Sequence, residues 1–336
     1  MLDKGQQPFY TDVNVLEIWI WKAKMIKYLL KYRPAHIFDM LKNGNLDPEI
    51  NTDSFKNRLV VISGTTSGIG YETAVKYASM GADILCINRN EEKSLELCNL
   101  LRQRYKTECN FKIADFSSLS DVHKVAEELK SMTRPIDVLI HNAGTYLVKK
   151  NFTDDGIETV FQTNYLASFI LNFKLKEKFR DQNSGRIIFV NSEGHRFAMA
   201  GVHLNDLRWK RHCYNGLKSY GTAKTAQLLA MIKLVEYFKD TNVTVNAMHP
   251  GNVRSNMGQN NGEFYKLRKR ILVDSSIRPT DIAAEALYYL GVEKKLEKIS
   301  GKFFNLTKEE IPAPHALDRD AADKVWGKSL ELGKLK

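Results

Sequence analysis

Tyr220 and Lys224 stand four residues apart in Ser219-Tyr-Gly-Thr-Ala-Lys224. On a helix that spacing puts both side chains on one face. A carbonyl or alcohol that exchanges hydride with a nicotinamide needs a proton donor or acceptor at its oxygen. Free tyrosine, with a pKa of about 10, is a poor base at neutral pH, but a nearby ammonium favours the phenolate. The pair therefore points to proton transfer at oxygen. Ser192 adds a hydroxyl that can hold the reacting oxygen, and Asn164, in Gln162-Thr-Asn-Tyr165, an amide that can bind a proton-relaying water. Each has an ordinary alternative when taken alone: a Tyr/Lys pair on a helix surface, a serine capping a turn, a satisfied buried amide.

A second constellation lies far upstream. Leu59-Val-Val-Ile62 suits a buried parallel strand. Gly64, Thr65, Thr66, Ser67, Gly68, Ile69 and Gly70 follow it, and Tyr71–Ala78 then reads as helix. Strand, glycine turn and helix together place a pyrophosphate on the N–H groups of a helix N-terminus. The spacing is G-x-x-x-G-x-G rather than the common G-x-G-x-x-G. The next strand, Asp83–Ile87, ends at Asn88-Arg89-Asn90 with no acid to hold a ribose 2′-hydroxyl. Arg89 can pair with a 2′-phosphate instead, so the expected cofactor is NADP(H) in preference to NAD(H).

These residues need a scaffold, and the chain supplies alternating strands and helices. The pattern predicts helix 91–106, strand 109–114, helix 119–131, strand 137–140 and a long helical stretch over 154–180. Strand 186–190, helix 218–239, strand 243–247, helix 280–290 and a last strand near 302–304 follow. Such alternation means a parallel sheet covered on both faces. The expected fold is α/β: one doubly wound Rossmann-type domain, residues 58–336, with a parallel seven-stranded sheet, preceded by a helical extension, 1–57. Ligands bind such sheets at the carboxyl ends of the strands. The notable residues fall there: Asp115 after the third strand, His141-Asn142-Ala143-Gly144 after the fourth, Ser192 after the fifth, His249-Pro250-Gly251 after the sixth.

From about Arg58 to 310 these residues, in this order, resemble the short-chain dehydrogenase/reductase superfamily. The resemblance implies a catalytic tetrad of Asn164, Ser192, Tyr220 and Lys224, with Lys224 also on the nicotinamide ribose. It further implies Asp115 at the adenine and the Asn142-Ala143-Gly144 backbone, with Pro250 and Gly251, beside the cofactor. Asn191-Ser-Glu-Gly-His195, the long gap before Tyr220 and His249-Pro-Gly-Asn-Val-Arg-Ser255 look most like the retinol-dehydrogenase-like branch. The chain departs from the usual pattern at Ser63, His141 and Asn191 and keeps every tetrad member. The implied activity is interconversion of an alcohol and its carbonyl on a hydrophobic small molecule. An NAD-dependent enzyme on a polar substrate, or a non-catalytic NADP-binding regulator, are the alternatives.

The net charge of +11 suggests nucleic acid first. The basic residues are dispersed and no nucleic-acid motif occurs, so no nucleic-acid partner is expected. Two clusters, Arg208–Arg211 and Lys266–Arg270, suit solvated faces, an acidic substrate or an anionic membrane. Cys86, Cys98, Cys109 and Cys213 show neither paired nor metal-like spacing. No signal peptide is evident, which points to a reducing cytoplasm. In residues 15–32, Val15, Leu16, Ile18, Trp19, Ala23, Ile26, Leu29 and Leu30 share one side of a helical wheel, with Glu17, Lys24, Lys27 and Lys31 opposite. Charges interrupt every run short of a membrane span. Two readings stay open: a helix lying on a membrane, or one packed on its own domain or on a second copy in a homo-oligomer.

Overall fold

The protein was analysed as a computed structural model that describes residues 15–34, 38, 42–43, 46–253 and 278–335. Eight strands form one sheet: β1 Leu59–Ser63, β2 Asp83–Asn88, β3 Cys109–Ile113, β4 Val138–His141, β5 Gly185–Val190, β6 Val243–His249, β7 Phe303–Asn305 and β8 Lys308–Glu310. Their order is β3-β2-β1-β4-β5-β6-β7-β8. The first seven run parallel, as the sequence predicts. The eighth is an addition: β8 pairs antiparallel with β7. The two are joined through Leu306, which takes the left-handed conformation (φ 53°). A three-residue strand in a tight hairpin carries too little periodicity to be seen in advance.

The helices are α1 Val15–Leu29, α2 Gly68–Ser79, α3 Glu91–Tyr105, α4 Leu119–Ser131, α5 Ala167–Gln182, α6 Gly216–Tyr237, α7 Asp281–Val292 and α8 Arg319–Leu332. Side chains alternate across the sheet. Val61, Leu85, Leu139, Ile187 and Val245 bury on one face, with Leu171, Leu229 and Val325 from α5, α6 and α8. Val60, Ile62, Ile84, Cys86, Val138 and Ile188 bury on the other, with Ala74, Leu97 and Leu287 from α2, α3 and α7. Every residue of β1 is buried, as a central strand covered on both faces must be. Asn90, Ser118 and Asn215 cap α3, α4 and α6 by accepting from first-turn N–H groups.

Two differences from the predicted elements bear on the site. The stretch expected as one helix from 154 begins at Thr159 and passes through a π turn, Gln162–Leu166, before α5. The C-terminal helix α8 was not anticipated. It lies on the α5–α6 face, where the Trp326 and Phe169 rings meet edge to face at 4.9 Å and the buried Tyr165 hydroxyl meets Ser329 Oγ at 2.6 Å.

α1 ends ahead of Pro34 and docks through Tyr28 and Lys27, on the face next to its apolar stripe. Tyr28 is buried, gives its hydroxyl to Asp318 Oδ2 at 3.0 Å and sets its ring edge against His315. Lys27 Nζ reaches the same carboxylate at 3.0 Å. Of the stripe, the described Trp19 is 66 % exposed, Ile26 52 % and Leu30 82 %. No described helix is long and apolar enough to cross a membrane.

Candidate active site

The glycine turn joins β1 to α2, and its glycines answer three separate steric demands. Gly64 has φ +74°, and a Cβ there would lie 2.9 Å from the Ala143 backbone. At Gly70 a Cβ would lie 2.1 Å from Gly64 O and 2.4 Å from Asn142 Nδ2, so α2 can approach the strand only without a side chain. Gly68, at φ +60°, faces open space. Ser67, at the N-cap of α2, makes no capping hydrogen bond through its side chain. The first-turn N–H groups of α2 thus have no side-chain partner and look onto an open, positive-φ glycine, which is where a phosphate fits.

The turn is clamped from both sides. Asn88 Oδ1 accepts from Thr65 N at 2.7 Å, and its Nδ2 donates to Thr65 Oγ1 and Ser94 Oγ. Asn142 Nδ2 donates to the carbonyls of Ser63 and Gly64, and Ser63 Oγ accepts from the N–H groups of Asn142 and Ala143. Thr66 and Ile69 are half-buried along the turn. Arg89 is exposed at the end of β2 and has no hydrogen-bond or ion-pair partner among the described residues. Asp115 lies two residues past β3, where its Oδ1 holds both the N–H and the hydroxyl of Ser117, and it lines a cleft of about 340 Å³ with Ser118 and Phe152. Pro250 and Gly251 (φ +74°) follow β6, with Leu306 beneath Gly251. Arg254, Ser255 and the Lys266–Arg270 cluster lie outside the described residues.

Tyr220 and Lys224 lie on α6, and Ser192 just past β5. Ser192 Oγ accepts from Gly194 N at 3.0 Å and stands near the Tyr220 hydroxyl, whose pKa it lowers. Gly194 must be glycine: a Cβ would meet the Tyr220 ring at 2.8 Å. Lys224 Nζ donates to Val190 O at 2.7 Å and to Gln227 Oε1 at 3.2 Å. Among the described residues no carboxylate faces it, and burial pulls its pKa down to about 7. Burial likewise pushes Tyr220 up to about 12, against a smaller lowering by Ser192. This corrects the expectation that the ammonium would lower the phenol. Lys224 Nζ is 5.7 Å from the Tyr220 ring centre and turned toward main-chain oxygen, and near pH 7 it is only partly charged. In the protein alone, Tyr220 is a neutral O–H donor.

Asn164 sits in the π turn, a local widening common at functional sites. Its Oδ1 accepts from Thr145 N at 2.6 Å and its Nδ2 donates to Thr145 O at 2.9 Å, which pins the segment just after Gly144. Its main-chain carbonyl accepts from Gln227 Nε2 at 2.7 Å.

Gln227 and Glu158, which the sequence did not single out, and Asn191, noted there only as a departure from the usual pattern, complete the frame. Gln227 joins Lys224 to Asn164. Asn191 donates to Lys224 O at 2.9 Å and to Gln227 Oε1 at 3.0 Å. The buried Glu158 accepts from Phe161 N at 2.8 Å, Ser219 Oγ at 3.0 Å and Tyr214 OH at 3.3 Å, so it ties the start of α6 to the turn before Asn164. Gln227 stands one turn beyond Lys224, a spacing that hints at it; nothing local marks Glu158. His141, the departure before Asn142, is buried and held neutral by burial, with its Nε2 on Asn172.

A family model described as short chain dehydrogenase matches residues 58–204. Human retinol dehydrogenase 13 is 30 % identical over 281 residues, 82 % of this chain and 84 % of that protein. The human WW domain-containing oxidoreductase is also 30 % identical, over 83 % of this chain and 68 % of its own length. A short chain dehydrogenase from Shigella flexneri superposes with a TM-score of 0.60 at 18 % identity, covering 79 % of this chain and 96 % of the other. The chain belongs to the short-chain dehydrogenase/reductase family. Within it the relatives named as retinol dehydrogenases place it on the retinol-dehydrogenase-like branch, and human retinol dehydrogenase 14 matches at 30 % as well. It is an oxidoreductase that acts between alcohol and carbonyl.

Proposed function

We propose that the protein is an NADP(H)-dependent enzyme interconverting an apolar alcohol and its carbonyl, with Ser192, Tyr220, Lys224 and Asn164 as its working residues. The observation that carries this reading is the gathering of Ser192 Oγ and the Tyr220 ring around Gly194, where an added Cβ would lie 3.2 Å from the one and 2.8 Å from the other, at the same strand rim as the uncapped N-terminus of α2. The dinucleotide supplies or accepts the hydride when bound. Gly64–Gly70 would hold its pyrophosphate, Arg89 its 2′-phosphate, Asp115 its adenosine half, and Asn142-Ala143-Gly144 with Pro250-Gly251 its flanks. Ser192 would orient the carbonyl oxygen, and the neutral Tyr220 hydroxyl would give it a proton. Lys224 would bind ribose hydroxyls and favour the phenolate left behind. Asn164 would hold a water that returns the proton from outside. Exposed Phe197, Met199 and Leu217 lie on the elements that carry Ser192 and Tyr220, which favours an apolar substrate.

Residues 1–57 would form an extension of the catalytic domain of 58–336, seated on it at the near end by the buried Phe55, with α1 lying on an anionic membrane. Trp19, Ile26 and Leu30 are open to solvent, Lys22, Lys24 and Lys31 are exposed beside them, and Tyr28 fixes the helix end to the domain. Each lysine near such a surface adds about 1 kcal/mol.

Three outcomes follow. Tyr220→Phe should keep NADPH affinity and lose about 10²–10⁴-fold in turnover of a long-chain aldehyde; near-native turnover would refute the assigned acid. Arg89→Ala should cost about 1.5–3 kcal/mol of NADPH binding and leave NADH unchanged in calorimetry, whereas equal affinities in the unsubstituted protein would end the NADP(H) assignment. The full chain should co-sediment with phosphatidylserine vesicles and a Trp19→Asp, Ile26→Asp, Leu30→Asp variant should not. If neither sediments and the unsubstituted chain is dimeric in solution, a second copy covers the stripe instead.

A further inference from the structure

Three of the four cysteines, distant in sequence and without a motif, meet in the core. Cys86 lies in β2, Cys98 in α3 and Cys109 at the start of β3, and their sulfurs all fall within 4.8 Å of one another. The ladder explains the first contact. Ile84 pairs with Cys109 and Cys86 with Phe111, so Cys86 and Cys109 point to the same face, which α3 covers. Cys98 and Cys109 are closest, at 2.9 Å between sulfurs. All three are fully buried among Ile84, Leu97 and Leu101.

We propose that Cys98 and Cys109 form a reversible disulfide when the protein meets a peroxide, with Cys86 as the neighbouring thiol that can reopen it. Bonding needs the sulfurs to close from 2.9 Å to about 2.05 Å. That is a small shift for a pair linked by one short turn between α3 and β3. A disulfide carries no charge, so this apolar pocket accepts it. A bound soft metal would need three thiolates gathered in this apolar pocket, whereas the guanidinium of Arg102 on α3 is exposed and engaged with Asn110. β3 is an edge strand of the sheet, so α3 and β3 open locally at lower cost than the centre, and peroxide is little larger than water.

The chemistry balances. Cys98 sulfur attacks a peroxide oxygen, the O–O bond breaks, one water leaves, and Cys98 is a sulfenic acid. Cys109 sulfur attacks Cys98 sulfur, the S–S bond forms, the S–O bond breaks, and a second water leaves. Two thiols supply the two electrons and two protons that reduce one peroxide to two waters. Attack by Cys86 on the same bond would release one partner by thiol–disulfide exchange.

The cluster adjoins the phosphate turn. Asn88, two residues beyond Cys86, clamps Thr65, and it donates at 3.0 Å to Ser94, one turn before Cys98. Drawing α3 toward β3 strains that bond, so oxidation should weaken dinucleotide binding. This consequence, unlike the disulfide, rests on the function proposed above.

The test uses the full chain carrying Cys213→Ser, which removes the one exposed thiol. Hydrogen peroxide treatment, denaturing alkylation, trypsin cleavage and mass spectrometry should find Cys98 and Cys109 peptides joined and Cys86 alkylated, with dithiothreitol restoring all three thiols. Three alkylatable thiols after peroxide, a pair that includes Cys86 in place of either partner, or Cys98 taken only to sulfinic acid would overturn the proposal. In the same samples, NADPH affinity should fall about two- to tenfold on oxidation, the value of one hydrogen bond. Unchanged affinity in a cross-linked sample would overturn the coupling. A reduced protein that binds no NADPH at all, yet still cross-links, would instead refute the cofactor reading.

Discussion

A lysine amine buried with no counter-charge among the described residues is the constraint around which this site is built. Moving a cation out of water is costly unless its donors are satisfied. Lys224 meets that cost with the end carbonyl of β5, at Val190, and the amide of Gln227. Gln227 can face Lys224 only because its own nitrogen is taken by Asn164 O and because Asn191 donates to the same oxygen. Asn164 O accepts that bond from within the π turn. Asn164 in turn holds both main-chain atoms of Thr145, just past Gly144. One buried charge thereby fixes the relative positions of β5, α6, the π turn and the segment after β4.

The phosphate end depends on space rather than charge. Gly70 lets α2 touch β1, and Gly64 lets the turn pass Ala143. Asn142 and Ser63 close that contact with four hydrogen bonds. Side chains that support the turn are used up inside the protein, while the first-turn N–H groups of α2 have no side-chain cap and the Arg89 side chain has no partner among the described residues. A ligand with several negative oxygens suits that imbalance.

Much of this was legible in the sequence where geometry is local. Tyr220 and Lys224 declare themselves by a helical repeat, Gly64, Gly68 and Gly70 by their place between an apolar run and a helix, and Asp115, Asn142 and Ser192 by following strands. The parallel sheet was legible for the same reason. Elements made by distant contacts were not. Glu158 serves Ser219 and Tyr214 across the fold, and the π turn arises from one shift in a hydrogen-bond ladder that composition does not encode. β8 is three residues long. Cys86, Cys98 and Cys109 meet only through strand register. The acidity of the Tyr/Lys couple also required burial to be known: spacing suggested an ammonium lowering a phenol, whereas desolvation acts on both and raises the phenol.

The most direct test is the ionisation of Lys224 itself. NMR titration of the ligand-free protein with ¹³Cε-labelled lysine, assigned by loss of the signal in Lys224→Met, would follow it. Its pKa is depressed in the folded chain, so the unfolded state holds more protons between about 7 and 10.5, and its cost to stability should be relieved as pH rises through that window. The account predicts a midpoint near 7 while Tyr220 stays protonated past pH 10. A Lys224 midpoint near the ordinary 10.5 would mean a solvated or charge-paired ammonium, and would contradict it.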